Sequence, residues 1–580
     1  MLLIAQTNFT WFDAVVVLAY LAMLVGIGAH FSRKQKGLES FFLAGRGMSW
    51  LPIGLSLMAA LNSGIDYIGG PSSVLKYSLI FTVGVFSWLF LYPWVAYVSL
   101  PFYRRLQTVS AYEYLERRFN VAVRTLAACI FLLWRVGWMG TALYVPCLAI
   151  ETITGGALKA IPLIITLGAV VTLYTMLGGI QAVIWTDIIQ FCIMLTGVAV
   201  ACGVILWNVD GGLAAVWRLG MDAGKIDFYY ELPIPEGASL WDKFLLYMGE
   251  PKAMSAILIT TICGRMAGYT SDQVMVQRFQ TTKSLKDSRQ AFIINACGDA
   301  IWTLGLAFVG LALFAFYQTH QLPQEIASNT DRIFPHFMAT VFPTGLIGLV
   351  VAAILAASLS SIDSAINSCT SVIVVDFYNR LYLGRQVALP SKPAATLAKH
   401  HETETEESQQ ALRHAAARAD RENRQQLFVS RIATLCFGCV GILIAANVSR
   451  IGIVLEIGAK VIQTFTGPIL GIYILGMFTR RTSSAGVLAG GLIGTAAALF
   501  IAFGQKSVFG SEIITFIWPT VFGLVGTLIG GYVMSMILPG RATEQQKQLT
   551  WRNVMRQALP IEDGHGQPAA PATAPAAARV

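Results

Sequence analysis

The chain has 580 residues, 55% of them hydrophobic and only 13% charged, with a mean hydropathy of +0.61; a soluble globular protein carries roughly 25% charged residues. That balance excludes a soluble enzyme and selects a polytopic membrane protein. The formal net charge of +9 comes from basic clusters between apolar runs, which mark one side of a membrane rather than a nucleic-acid surface.

A helix needs about 20 mostly apolar residues to cross a hydrocarbon core of about 30 Å. Thirteen runs meet that need, near 11–30, 48–70, 79–101, 124–150, 160–178, 182–207, 252–275, 291–317, 341–374, 428–448, 454–478, 485–504 and 512–537. No positive residues precede the first run, so it reads as a retained span and not as a secretory signal. "FSRKQKG", "PFYRR", "QRFQTTKSLKDSRQ", the segment 376–427 and "TRRTSS" are basic and share one side if thirteen helices alternate. That side is expected to be cytoplasmic, with the amino terminus outside and the carboxyl tail inside a cell membrane. The segment 376–427, with "KHHETETEESQQALRHAAARADRENRQQ", reads as a polar cytoplasmic insertion carrying a solvated helix. The end, 541–580, reads as a disordered tail. Nine cysteines are scattered through the apolar runs; the close pair in "CFGC", Cys436 and Cys439, sits mid-helix and reads as packing. No GxxxxGK[ST], GxSxG or HExxH occurs, so neither enzyme chemistry nor a cofactor is expected.

Two runs carry breakers. "LSLMAALNSGIDYIGGPSS" (55–73) places Asn62, Ser63, Gly64, Asp66, Gly69, Gly70 and Pro71 inside a span, which predicts an interrupted helix with freed carbonyls facing protein or a watery cavity. "TTICGRMAGYTSDQ" (260–273) predicts a second interruption among Gly264, Arg265, Gly268 and Asp272. Broken spans five helices apart predict an all-α architecture of two inverted five-helix repeats, 48–207 and 252–478, with one helix before them (11–30) and two after (485–537).

The ninth run ends in "AASLSSIDSAINS" (356–368), five serines, an aspartate and an asparagine in thirteen residues. At about 100° per residue, Ala357, Ser360, Ser361, Ser364 and Ser368 share a stripe about 100° wide. Such a stripe suits close helix contact with hydroxyls bonded back to carbonyls. It also suits a small hard cation such as sodium, given further oxygens from a second element. Four ionisable residues lie within spans: Asp66, Arg135, Arg265 and Asp299. They are expected either to meet a solute or to pair with one another.

"FFLAGRGMSWLPIGLSLMAA", "SAYEYLERRF", "YTMLGGIQAVIWTDIIQ", "QRFQTTKSLKDSRQAF" and "ILAASLSSIDSAINS" resemble the sodium/solute symporter family over residues 10–535, the insertion excepted. The resemblance implies a leucine-transporter-like fold, sodium as the coupling ion and import of a small polar organic solute (sugar, carboxylate or amino-acid-like) by alternating access. It implies that the carbonyls of Ala59, Asn62 and Ala357 and the hydroxyls of Ser360 and Ser361 hold sodium. Asp187, Asp363 and Ser364 fall where relatives with a second sodium bind it, though Asp363 departs from the serine or threonine found there. Asp66, Arg265 and Asp299 fall where sugar-transporting relatives contact the solute, and Ser87 and Gln463 are expected to line the cavity. Trp138 stands where acid-sugar transporters carry an arginine, which argues against that substrate. Rival readings are a transporter-like sensor and a passive channel; solute, stoichiometry and oligomeric state stay open.

Overall fold

Inside a hydrocarbon layer each backbone N–H and C=O must be satisfied within the chain, and helices do this segment by segment. The computed structural model describes residues 8–32, 38–384, 406–448, 454–540 and 542–559, which are helical apart from connections and one isolated β-bridge, Met48 to Thr282.

In chain order the helices are α1 (Trp11–Ser32), α2 (Leu38–Leu43), α3 (Trp50–Leu61), α4 (Gly64–Tyr77), α5 (Ser87–Trp94), α6 (Leu100–Leu106), α7 (Glu113–Arg118), α8 (Val121–Ile153), α9 (Ala160–Trp207), α10 (Gly212–Asp222) and α11 (Leu240–Gly249). They continue as α12 (Met254–Ser271), α13 (Gln273–Gln280), α14 (Leu285–Thr319), α15 (Gln324–Ala327), α16 (Ile333–Val341), α17 (Leu346–Val372), α18 (Glu406–Ala445), α19 (Val454–Phe478), α20 (Ser484–Leu499), α21 (Gln505–Phe509), α22 (Pro519–Ile537), α23 (Glu544–Lys547) and α24 (Trp551–Val554).

Among the described residues ten helices are long and apolar enough to cross a membrane, or eleven if α3 and α4, bent by 61°, count as one span. The expected fifth and sixth runs form one helical stretch, α9, interrupted only at Gly179 (φ 58°, ψ −166°). A side chain there would be strained, and a Cβ would also meet Phe41 Cδ2 at 2.8 Å.

Two expectations need correction. The second interruption falls at Asp272 (φ −84°, ψ 118°), and α12 runs unbroken through Gly264, Arg265 and Gly268. Those glycines make room instead: no atom lies within 4 Å of where either Cβ would stand. Within the polar segment 376–427, the helix after α17 continues to Tyr382 and α18 runs from Glu406 into the tenth span; 385–405 lie outside the described residues. The tail expected to be disordered from 541 holds α23 and α24, fastened by Gln546 Nε2 to Phe119 O at 2.7 Å and Trp551 Nε1 to Val98 O at 3.2 Å. Residues 560–580 lie outside the described residues.

The core forms around α17, whose residues from Val350 to Val372 are all buried. It lies among α1, α3, α4, α8, α9 and α18. Asp13 of α1 accepts from the N–H groups of Gly345 (2.8 Å) and Gly348 (2.7 Å) at its start. At its other end Asp376 binds Arg124 (2.6 Å) and Ser110 (2.8 Å). The polar stripe is therefore held at both ends and faces protein, not lipid.

Candidate functional site

The first break is built by a capping box. Asn62 and Ser63 are extended, and Ser63 N–H, which a continuous helix would donate to Ala59 O, goes instead to Asp66 Oδ2 at 2.6 Å. Asp66 N–H turns to Ser63 O at 3.0 Å rather than to Asn62 O. The carbonyls of Ala59 and Asn62 are thereby released from helical bonding, and α17 meets both. Ser360 Oγ reaches Ala59 O at 2.9 Å and its own helix's Ala357 O at 3.0 Å, while Ser361 Oγ reaches Asn62 O at 2.8 Å. Gly64 allows the approach, since a Cβ there would meet the Ser358 side chain and, at 3.1 Å, Ile354 O. The structure thus brings together the five oxygens of Ala59, Asn62, Ala357, Ser360 and Ser361. Each hydroxyl keeps acceptor lone pairs while donating, so the cluster can offer electron density to a small cation.

One turn further along α17, Asp363, Ser364 and Asp187 also converge, around a group that sequence reasoning missed. Arg278 of α13, fully buried, pairs with Asp187 at 2.9 Å and donates to Ser364 Oγ at 2.5 Å and Ser56 Oγ at 2.8 Å. Ser56 also donates to Asp187 at 2.6 Å, and Tyr174 donates to Asp363 at 2.8 Å. In the sequence Arg278 sits in a basic run and counts toward membrane sidedness. The usable signal was Asp187 itself, because a buried carboxylate needs a partner. Asp187 Oδ1 and Gln190 Oε1, one turn apart on α9, are buried acceptors without a donor among the described residues.

The expected solute residues separate. Arg265 Nη2 pairs with Asp299 Oδ2 at 2.7 Å, and Nη1 donates to Ser87 Oγ at 2.8 Å; the guanidinium lies 4.1 Å from the Trp88 ring centroid. Trp88 Nε1 donates to the same Asp299 oxygen at 2.8 Å. Of the two aspartates that could pair with Arg265, Asp299 does so. Gln463 is not brought to this group: Thr520 of α22 donates to both its backbone and its side-chain oxygen. The reason is helical phase, since Gly458 faces Ile65 and Thr141, and Val461 faces Gly137, which turns position 463 to the opposite side.

The second break repeats the logic of the first. Val274 N–H goes to Asp272 Oδ1 at 2.9 Å and Met275 N–H to Asp272 O at 3.2 Å, which frees the carbonyls of Thr270 and Ser271. Tyrosines take them: Tyr103 OH donates to Thr270 O at 2.5 Å and Tyr112 OH to Ser271 O at 3.0 Å. Ser99 Oγ holds Tyr269 O at 2.6 Å, and Gln273 Oε1 accepts from Ala111 N–H at 2.8 Å. Asp272 itself pairs with Arg135, so that arginine is engaged structurally.

The profile of the sodium:solute symporter family matches residues 41–386 and 411–494. The chain is 26% identical over 533 residues to a sodium/sialic acid symporter of Proteus mirabilis, covering 91% of this chain and 95% of that one. It is 28% identical to the human sodium-coupled monocarboxylate transporter 1, over 86% of this chain and 74% of the relative. A solved Na+-coupled sialic acid symporter, substrate-bound and outward-open, superposes with a TM-score of 0.74 at 26% identity, covering 91% of this chain and 98% of that one.

Proposed function

The chain belongs to the sodium:solute symporter family, and from that premise we propose where its sodium and its solute bind. It is a multi-pass membrane protein that imports a small polar organic solute, driven by sodium, through alternating access. Sodium binds between the first break and α17, on the carbonyls of Ala59, Asn62 and Ala357 and the hydroxyls of Ser360 and Ser361. The observation that carries this is the direct reach of both serines to carbonyls that the break releases. A cation bridging α3 and α17 stabilises one arrangement of the two, and its departure loosens them.

Asp187, Asp363 and Ser364 form a second cation site in this reading. Arg278 pairs with Asp187 through Oδ2, which leaves the donorless Asp187 Oδ1 to face a cation. The solute binds among Asp66, Ser87, Arg265 and Asp299. We read α9 as two spans parted at Gly179, and α12 with α13 as a broken span. That makes thirteen spans in two inverted repeats, 48–207 and 252–478, preceded by 11–30 and followed by 485–537. In this reading, which the basic connections support, the amino terminus lies outside and the carboxyl end in the cytoplasm of a cell membrane.

Uptake into proteoliposomes, with and without an inward sodium gradient, tests the function. Accumulation above equilibrium only with the gradient is expected; gradient-independent equilibration would identify a channel instead.

A further inference from the structure

We propose that the solute docks through an ammonium group at Asp66 and that the site offers no uncommitted cation to a solute carboxylate. This rests on the symporter reading above and specifies its substrate class. Two devices in this region could receive a carboxylate, and the chain itself fills both. The first is the N-terminus of α4, where a broken helix directs its positive dipole end and free N–H groups. Asp66 occupies it, accepting from Ser63 N at 2.6 Å and Ser63 Oγ at 3.2 Å. The second is Arg265, committed to Asp299 at 2.7 Å, Ser87 Oγ at 2.8 Å and Gly84 O at 3.3 Å, with one face against Trp88. Drawing Arg265 toward a solute would strand Asp299, which is only 2% exposed, as an uncompensated buried charge.

What remains is acceptor capacity. Asp66 is partly exposed, both its hydrogen bonds use Oδ2, and among the described residues no cation pairs with it. Packing sets it close to the ion pair: Tyr67 meets Trp302 at a centroid distance of 5.1 Å, and Gly70 lies against Leu306. Asp66 and Asp299 therefore belong to helices, α4 and α14, that pack directly on each other. Beside Arg265, Gly264 and Gly268 leave open space on α12. Asp66, Asp299 and Arg265 together carry one net negative charge. An ammonium group balances that charge and donates to Asp66 Oδ1, whereas a carboxylate would add repulsion and find no uncommitted cation to offset it.

The test uses trios matched in carbon skeleton and differing in charge: glucosamine, glucose and glucuronate; ethanolamine, ethylene glycol and glycolate; putrescine, butanediol and succinate. Proteoliposomes under an inward sodium gradient take up the isotope-labelled mixture, and mass spectrometry reads what accumulates. In at least one trio the amine is expected to exceed its carboxylate partner at least tenfold; no amine excess in any trio overturns the proposal. Asp66→Asn keeps an acceptor for Ser63 N–H and is expected to cut the excess below threefold. If that variant lowers both members together and leaves the ratio intact, Asp66 is only a helix cap and the proposal falls. Sodium-dependent thermal stabilisation needs no solute and separates the two failures. Stabilisation without amine preference overturns the substrate class alone, and absence of stabilisation overturns the symporter reading.

Discussion

Replacing Ser360 and Ser361 together with alanine removes the two side-chain oxygens that face the released carbonyls of Ala59 and Asn62. If each contributes ~1 kcal/mol, as a hydrogen-bonding group of this kind does, the sodium concentration for half-maximal uptake rises more than tenfold. Unchanged sodium dependence would remove the site from between α3 and α17. Arg278 and Asp187 show the opposite economy, since both are fully buried and neither can lose its partner cheaply. Asp187→Asn alone is expected to destabilise by about 3–5 kcal/mol by stranding the guanidinium, seen as a lower melting temperature in detergent. Adding Arg278→Gln should restore a large part of that loss, and a double-mutant cycle measures the coupling.

At the scale of elements, two glycines of similar appearance in the sequence have opposite meanings. Gly64 opens α4 directly against α17, with Ile354 O and the Ser358 side chain where a Cβ would go. Gly64→Ala must push the break away from the serines, an overpacking of about 1–3 kcal/mol, and is expected to raise half-maximal sodium severalfold. Gly264 has no neighbour within 4 Å of its missing Cβ, so Gly264→Ala is expected to leave the melting temperature unmoved. Its effect should fall on solute half-saturation, because the methyl enters the space beside Arg265. Equal thermal losses for the two variants would contradict this assignment of roles.

For the whole molecule, the two breaks are held by different chemistry. Serines of α17 meet the first break, whereas tyrosines of α6 and the start of α7 meet the second on the basic side of the bundle. In the orientation proposed above this clamp would close the inner end, and Tyr103→Phe with Tyr112→Phe should loosen it. A cysteine placed at Gln280, on α13, is then expected to react faster with a thiol reagent applied from that side, and unchanged labelling would show that the clamp does not gate. The driving force is adequate: one charge across 100 mV supplies about 2.3 kcal/mol and a tenfold ion gradient roughly 1.4 kcal/mol. Together, about 3.7 kcal/mol per sodium supports accumulation of several hundred-fold for a neutral solute.

Local chemistry made much of this protein legible in its sequence. Hydropathy set the spans, and Asn62, Ser63, Gly64 and Asp66 announced the first break, because capping within four residues decides which carbonyls a helix releases. The stripe on α17 followed from helical phase, and three of its oxygens, on Ala357, Ser360 and Ser361, gather with the carbonyls of Ala59 and Asn62. Folding alone decided what depends on which faces become neighbours: that Asp299 and not Asp66 takes Arg265, that Arg278 enters between Asp187 and Ser364, and that Gln463 turns to Thr520. Gly264 and Gly268 misled for the same reason. A glycine can serve backbone freedom or empty space, and only the packing around it distinguishes the two. Charge pairing between residues as far apart as Asp187 and Arg278 is set by three-dimensional distance, which no local run of side chains encodes.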